Sequence, residues 1–146
     1  MVLLRGRTRR RLLLVLLSVA CVLVCCGAFS WQGELNQRRD RSEAEAALSK
    51  YLERVRGTDY RAAYQQLCSD VLPEYTESGH AAFLREQRPF VSFSIGEPTR
   101  STDIDGTYLT FPVRLAYADE STSVVWLAVS LEEGGPKPCD AYVWRK

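Results

Sequence analysis

The sequence predicts an α+β domain that follows one N-terminal transmembrane helix. Two features of the 146-residue chain carry this prediction. Residues 12–31 contain no charged side chain, which is typical of a membrane span. After Pro89 the spacing of apolar residues changes from a period of about 3.6, typical of helices, to a period of 2, typical of strands. Helices followed by an antiparallel meander indicate a helical layer packed on one face of a sheet.

The uncharged segment 12–31, LLLVLLSVACVLVCCGAFSW, has the length of a membrane-spanning helix. About 20 residues at about 1.5 Å each cross the roughly 30 Å hydrocarbon core. Five arginines and no acid lie within 1–11, so the N-terminus is predicted to be cytoplasmic and the rest extracytoplasmic, in a single-pass protein of the cell membrane. Two alternatives stay open for this segment: a secreted protein cleaved beside Ala28-Phe29-Ser30, or a lipoprotein modified at one of the segment's cysteines.

Residues 32–42, QGELNQRRDRS, are polar apart from Leu35 and are predicted to be a tether. The domain proper is predicted over 43–146, which is a common length for a domain with one core. The whole chain has a net charge of +1, but residues 32–146 hold 14 basic and 18 acidic side chains. Such a mildly acidic body does not favour nucleic acid as a partner.

The first half of the domain has the apolar spacing of three amphipathic helices. The first is predicted over 43–56, with Ser42 as its N-cap. The second begins at Thr58 or Asp59, and the third is a short helix capped by Ser78. The apolar stripe of the first helix consists of Ala44, Ala47, Leu48, Tyr51, Leu52 and Val55.

The second half has the alternation of four strands separated by turns. In the two longest strands, one face is predicted to be apolar and to pack on the helices. The four strands are predicted over 90–97, 107–118, 121–131 and 139–144. The inward-facing residues of the two long strands are Leu109, Phe111, Val113, Leu115, Tyr117, Val125, Leu127, Val129 and Leu131.

Two cysteines lie in the predicted extracytoplasmic domain: Cys68 on the stripe of the second helix and Cys139 at the start of the last strand. Outside the cytoplasm, two thiols in one small domain usually pair. We therefore expect a disulfide that ties the helical layer to the sheet, and the alternative is two separate buried thiols. Its loop of about 70 residues corresponds to roughly 4 kcal/mol in the chain-entropy model. One histidine and two distant cysteines do not form a metal-ligand set, so no metal or other cofactor is predicted.

His80, the single histidine of the chain, is predicted to lie at the surface near the start of the third helix. The sequence contains no nucleophile-elbow motif, phosphate-binding glycine loop or paired-acid motif to accompany it. No catalytic residue is therefore predicted, and we expect the domain not to be an enzyme.

Five aromatic side chains fit either of two roles, core packing or the lining of an apolar cavity between helices and sheet. Their helical and alternating spacing favours the core. The candidate lining residues of such a cavity are Tyr51, Tyr64, Phe83, Phe111 and Trp126.

A Gly-Asp-Tyr turn joins the first two predicted helices and opens a pattern that ends in a cysteine. Its residues are Gly57, Asp59, Tyr60, Ala62, Ala63, Tyr64, Leu67 and Cys68, with Cys139 near the end of the chain. The pattern resembles the NTF2-like (cystatin-like) superfamily, and most closely its small exported, lumazine-binding-like domains that follow a single membrane helix in bacteria. Over 43–146 the resemblance implies a curved sheet wrapped by helices around a conical pocket. The superfamily's enzymes, such as ketosteroid isomerases and scytalone dehydratase, carry inward Asp or His residues, whereas the inward strand positions here are apolar.

Three functions follow as hypotheses. The first is a membrane-tethered, extracytoplasmic binding or protein-interaction module without catalytic activity, whose partner is an envelope protein, a small apolar ligand or a second copy of the chain. The second is an isomerase- or dehydratase-like enzyme, which needs His80 or a carboxylate buried in the cone pocket. The third is a structural accessory of a cell-envelope complex, which needs an exposed apolar patch. The missing catalytic set favours the first.

Overall fold

A computed structural model of the chain describes residues 34–73 and 76–139. Over these residues it is an α+β fold of three helices and a curled antiparallel sheet that forms a half-barrel. The chain divides into two units, Met1–Arg39 and Asp40–Lys146. Helix α1 covers 34–56, followed by α2 (Tyr60–Tyr64) and α3 (Glu77–Glu86); the strands are β1 (Ser92–Ile95), β2 (Thr99–Asp103), β3 (Gly106–Ala116), β4 (Thr122–Glu132) and β5 (Gly135–Cys139).

The predicted cytoplasmic segment 1–11 and the predicted membrane anchor 12–31 lie outside the described residues. Across 34–73 and 76–139, no helix combines the length and the apolar character that crossing a membrane requires. The described part of the predicted tether, 34–42, is helical and runs directly into the rest of α1. Ser42, predicted as the N-cap of this helix, therefore lies inside it.

Local capping explains where α2 and α3 begin. Asp59 is the N-cap of α2, as predicted, because its side chain accepts a hydrogen bond from the Ala62 N–H at 3.2 Å. Helix α3 begins after Thr76, whose hydroxyl accepts from the Gly79 N–H at 3.1 Å. The prediction of Ser78 as the cap of this helix was wrong, because the hydroxyl of Thr76 takes that role.

The sheet is built around β3 and β4, which are paired along most of their length. The order is β1-β3-β4-β5, and β2 shares with β1 the edge of β3 that β4 leaves open. Gly96 lies where the chain passes from β1 to β2, close to β3; a Cβ atom there would be 2.9 Å from the Pro112 ring. The strand β2, TRSTD, was missed because all five of its residues are exposed and polar.

The last strand begins earlier than predicted. Its described part is Gly135–Cys139, so it begins four residues before the predicted start at Cys139, and residues 140–144 of the prediction lie outside the described residues. Its two prolines are tolerated because β5 is an outer strand that pairs through the sheet ladder with β4 alone.

The core lies between α1 and the inner face of the sheet. The predicted alternation of β3 is confirmed: Leu109, Phe111, Val113 and Leu115 are buried. In β4 the inward positions Leu127 and Val129 are likewise buried. The helical side of this core cluster consists of Ala44, Leu48, Tyr51, Leu52, Ala63, Leu67, Cys68 and Val71.

Candidate functional site

The five aromatic residues proposed as cavity lining do not share one surface. Tyr51 and Phe111 are fully buried in the core, and Tyr64 packs against it. Phe83 is half-buried on α3. Trp126 lies on the opposite face of the sheet from the core, and half of its surface is exposed. None of the five lines any of the three clefts described below.

His80 is buried, with 1% of its surface exposed, so its predicted surface position was wrong. His80 lies four residues before Leu84, so the two share one face of α3, and both side chains are buried. The His80 Nε2 atom lies 3.4 Å from the Tyr51 hydroxyl, and its ring centroid lies 5.8 Å from that of Tyr64. These contacts hold the imidazole between α3 and the core aromatics.

The predicted cysteine pair is confirmed. The Sγ atoms of Cys68 and Cys139 are 2.05 Å apart, which is the length of a disulfide bond, and the Cα atoms are 5.3 Å apart. Cys68 lies in the turns that follow α2 rather than on that helix, and Cys139 ends β5. The N–H of Cys68 also donates to the carbonyl of Pro138 at 2.9 Å. The bond therefore fastens the turns after α2 to the outer strand of the sheet.

Asp70 lies beside the two cysteines, and ligand atoms of the three residues fall within 4.8 Å of one another. Sulfur atoms joined to each other are not thiolates, which are the form of cysteine that binds metals. In the disulfide-bonded state this group offers a metal only the Asp70 carboxylate.

A cleft of about 550 Å³ adjoins the disulfide; its lining consists of Asp70, Val71, Asp105, Tyr108, Ala128 and Cys139. The Tyr108 hydroxyl donates to Asp70 Oδ2 at 2.8 Å. This hydrogen bond to a carboxylate, together with partial desolvation, raises the pKa of Tyr108 to about 12.

Glu132 holds the chain after α2 in place next to this cleft. Its Oε1 accepts from the Ser69 N–H at 2.8 Å, and its Oε2 pairs with Lys137 Nζ at 3.0 Å. Partial burial acts to raise the pKa of this carboxyl, but the hydrogen bonds from Ser69 and Lys137 outweigh it and the pKa lies below its usual value.

The second surface feature is the side of β3 and β4 that faces away from the core, which we call the outer sheet face. It consists of Thr110, Pro112, Arg114, Val124 and Trp126. Pro112 is paired across the strands with Trp126, and Arg114 with Val124. Trp126 and Val124 are 50% and 53% exposed. Ala128, two residues after Trp126, instead packs against the core and lines the cleft beside the disulfide.

The third feature, the arginine cleft, has a volume of about 180 Å³. It lies where the ends of α1 and α3 meet the chain that leads into β1. Its lining residues are Val55, Arg56, Thr58, Tyr60, Leu84, Arg85, Gln87, Arg88, Pro89 and Phe90. Tyr60, Thr58 and Arg85 also line an adjoining cleft of about 400 Å³ between α2 and the start of α3.

The three arginines of this cleft differ in their partners. Arg56 pairs with Glu53 at 2.6 Å. Arg88 pairs with Asp119 at 2.5 Å and lies 4.1 Å from the centroid of the Tyr117 ring. Arg85 lies 5.5 Å from the centroid of the Tyr60 ring. The guanidinium of Arg88 joins the Ser121 hydroxyl in lowering the pKa of Asp119 to about 2, with the hydroxyl as the larger cause.

Comparison with known proteins adds no relative to this picture. No protein-family model matches the chain, and no curated protein sequence matches it.

Proposed function

We propose that residues 43–146 are an NTF2-like, extracytoplasmic interaction module, held at the cell membrane by residues 12–31, that has no catalytic activity and binds another protein through its outer sheet face. The observation that carries this proposal is the half-exposed side chain of Trp126 beside the exposed Val124. Tryptophan is enriched at protein interfaces, where burying it contributes about 2 kcal/mol or more.

The extracytoplasmic location is supported by the disulfide. Cytosolic thiols are kept reduced, whereas paired cysteines persist outside the cytoplasm. The charge pattern around 12–31, with five arginines before it and no acid, agrees with an exported C-terminal domain.

The proposed lack of catalytic activity is supported by the side chains that fill the space between α1 and the sheet. Tyr51 and Phe111 occupy it with fully buried side chains. An isomerase- or dehydratase-like site would need His80 or a carboxylate to be buried in an open cavity. His80 lines none of the three clefts. Asp70 and Asp105 line the cleft beside the disulfide, but both are exposed rather than buried.

The NTF2-like assignment is supported by the Gly-Asp-Tyr turn, in which Asp59 caps α2, and by helices packed on one face of a curled antiparallel sheet. This architecture leaves the outer sheet face open for docking. A structural role in a cell-envelope complex would use the same surface.

Photo-crosslinking from the outer sheet face tests the proposal. A photoreactive phenylalanine analogue replaces Val124 in the full chain, which is expressed and irradiated in host membranes. The matched position is Ile104, a fully exposed residue at the turn between β2 and β3. We expect a crosslinked protein from position 124 and none from 104, and mass spectrometry identifies it as an envelope protein or a second copy.

A second variant tests whether the crosslink at position 124 depends on Trp126. Trp126→Ser should abolish the product from position 124, and it should leave the free energy of unfolding within about 0.5 kcal/mol because the side chain is outside the core. Equal yields from 124 and 104, or no product from either, would contradict the proposal.

A further inference from the structure

The arginine cleft has an apolar floor and a cationic rim. Leu84 and Phe90 contribute nearly buried side chains, whereas Arg85 and Arg88 are exposed. None of the ten residues that line it carries a carboxylate. This arrangement matches a ligand with an apolar group flanked by negative charge.

Arg85 supplies the charge that is available to a ligand. Arg56 and Arg88 are balanced by Glu53 and Asp119. Across 34–73 and 76–139, no carboxylate lies within ion-pair distance of Arg85, whose guanidinium lies over the face of the Tyr60 ring. Its planar guanidinium has five N–H donors and can bind both oxygens of one carboxylate.

The volume of the arginine cleft indicates whether it holds a whole small molecule or a single side chain of a larger ligand. Sites for small molecules measure about 300–1,000 Å³, whereas an apolar cavity of roughly 150 Å³ holds one benzene ring. At about 180 Å³ the arginine cleft has room for one leucine or phenylalanine side chain.

Arg85 also lines the adjoining cleft of about 400 Å³. Asp59 and Glu77 line that adjoining cleft too, where they pair with Arg54 at 3.2 Å and Arg61 at 3.7 Å. Because carboxylates repel an acidic ligand, the contact with Arg85 is made from the side that borders the arginine cleft.

We propose that the arginine cleft binds an acidic peptide segment of a partner protein, which inserts one apolar side chain between Leu84 and Phe90 and pairs a neighbouring carboxylate with Arg85. This site is separate from the outer sheet face and does not depend on the function proposed for that face.

Peptide binding to the full chain tests this site. The chain is placed in nanodiscs of uncharged lipid, and fluorescent pentapeptides EEFEE, EELEE and EEMEE are titrated by anisotropy. EEGEE, which lacks the anchor, and QQFQQ, which lacks the charge, are the matched peptides. We expect saturable binding of at least one anchored acidic peptide and about tenfold or greater loss with either matched peptide.

Two variants locate the site. Arg85→Gln should weaken binding about tenfold, because it removes the charge-assisted contact. Lys50→Gln, which removes an exposed cation that lines none of the three clefts, should leave binding unchanged. Equal effects of the two variants, binding of EEGEE as tight as that of EEFEE, or no saturable binding of any anchored peptide at about 1 mM would each overturn the proposal.

Discussion

His80 is buried although it lies only one turn from the start of α3, and its ring is enclosed by Tyr51 and Tyr64. The residue type alone does not predict this burial, because histidine is intermediate between the buried and the exposed residue types. The packing of α3 decides it, since His80 shares one face of this helix with the buried Leu84.

Tyr108 and Asp70 form the hydrogen bond with the clearest dependence on pH. The bond favours the neutral phenol and raises the pKa of Tyr108 from 10.0 to about 12. Its contribution to stability is therefore present below the unfolded pKa and is lost as the pH rises from 10.0 to about 12. We expect Asp70→Asn to lower the pKa of this tyrosine toward 10.0, because the carboxylate acceptor is gone.

The near-ultraviolet absorbance of tyrosinate follows this change. The late tyrosine titration of the full chain should lose one group in Tyr108→Phe, and that group should titrate earlier in Asp70→Asn. Glu133→Gln, an exposed acid that is not among the causes of this shift, serves as the control. A late titration that is unchanged in Tyr108→Phe would show that another residue is responsible.

At the scale of the elements, helix starts depend on which of several suitable residues becomes the cap. Thr76 and Ser78 are both good N-cap types, and only two residues separate them. In the fold, the Thr76 hydroxyl accepts the bond from Gly79 N–H, and Ser78 lies within the first turn of α3. The apolar periodicity of the sequence does not decide which of these two residues caps α3.

Alanine substitution at Thr76 and at Ser78 tests which of the two residues caps α3. Thr76→Ala should lower the free energy of unfolding by about 1 kcal/mol, the usual contribution of a cap. Ser78→Ala should change it by less than about 0.5 kcal/mol. Urea unfolding followed by circular dichroism of the full chain in mild detergent measures both, and a larger loss in Ser78→Ala would refute the assigned start of α3.

The strands differ in how clearly the sequence predicts them. In β3 and β4 the alternation of apolar residues predicts both the elements and the face that is buried. The strand β2 has no such alternation, because it exists through its backbone pairing with residues 106–110 of β3. A fully exposed polar strand has a sequence like that of a loop.

At the scale of the whole molecule, the disulfide joins two parts that are far apart along the chain. Cys68 and Cys139 are separated by 71 residues. Replacing both with alanine should lower the free energy of unfolding by about 4 kcal/mol, because the unfolded chain regains the freedom that the closed loop removes.

Urea unfolding of the double variant and of the wild-type chain, with and without a reductant, checks this expectation. The reduced wild-type chain should approach the variant, and the variant should not respond to the reductant. Cys21→Ala, which leaves Cys68 and Cys139 in place, is the control. A wild-type chain as unstable as the double variant before reduction would contradict the assigned bond.

The candidate sites were predictable to different degrees. The cysteine pair follows from residue counting and the inferred compartment. Strand alternation places Trp126 on the face opposite Leu127, but its aromatic character favoured the core or a cavity, and only the structure shows that half of it is exposed. The arginine cleft had no signal in the sequence, because Arg56, Arg85 and Arg88 belong to different parts of the chain and meet only where α1, α3 and the approach to β1 converge.

The sequence by itself determined the α+β class, the two long strands with their inner faces and the two candidate caps of α2, Thr58 and Asp59; together with the inferred export of the domain, it also indicated the pairing of the cysteines. These properties are local or follow from composition, so the chain carries them before it folds. Only the tertiary structure decided which candidate caps α2, the burial of His80, the strand β2, the start of β5 and the arginine cleft. Each depends on contacts between residues distant in sequence, and the energies of such contacts are absent until the helices pack on the sheet.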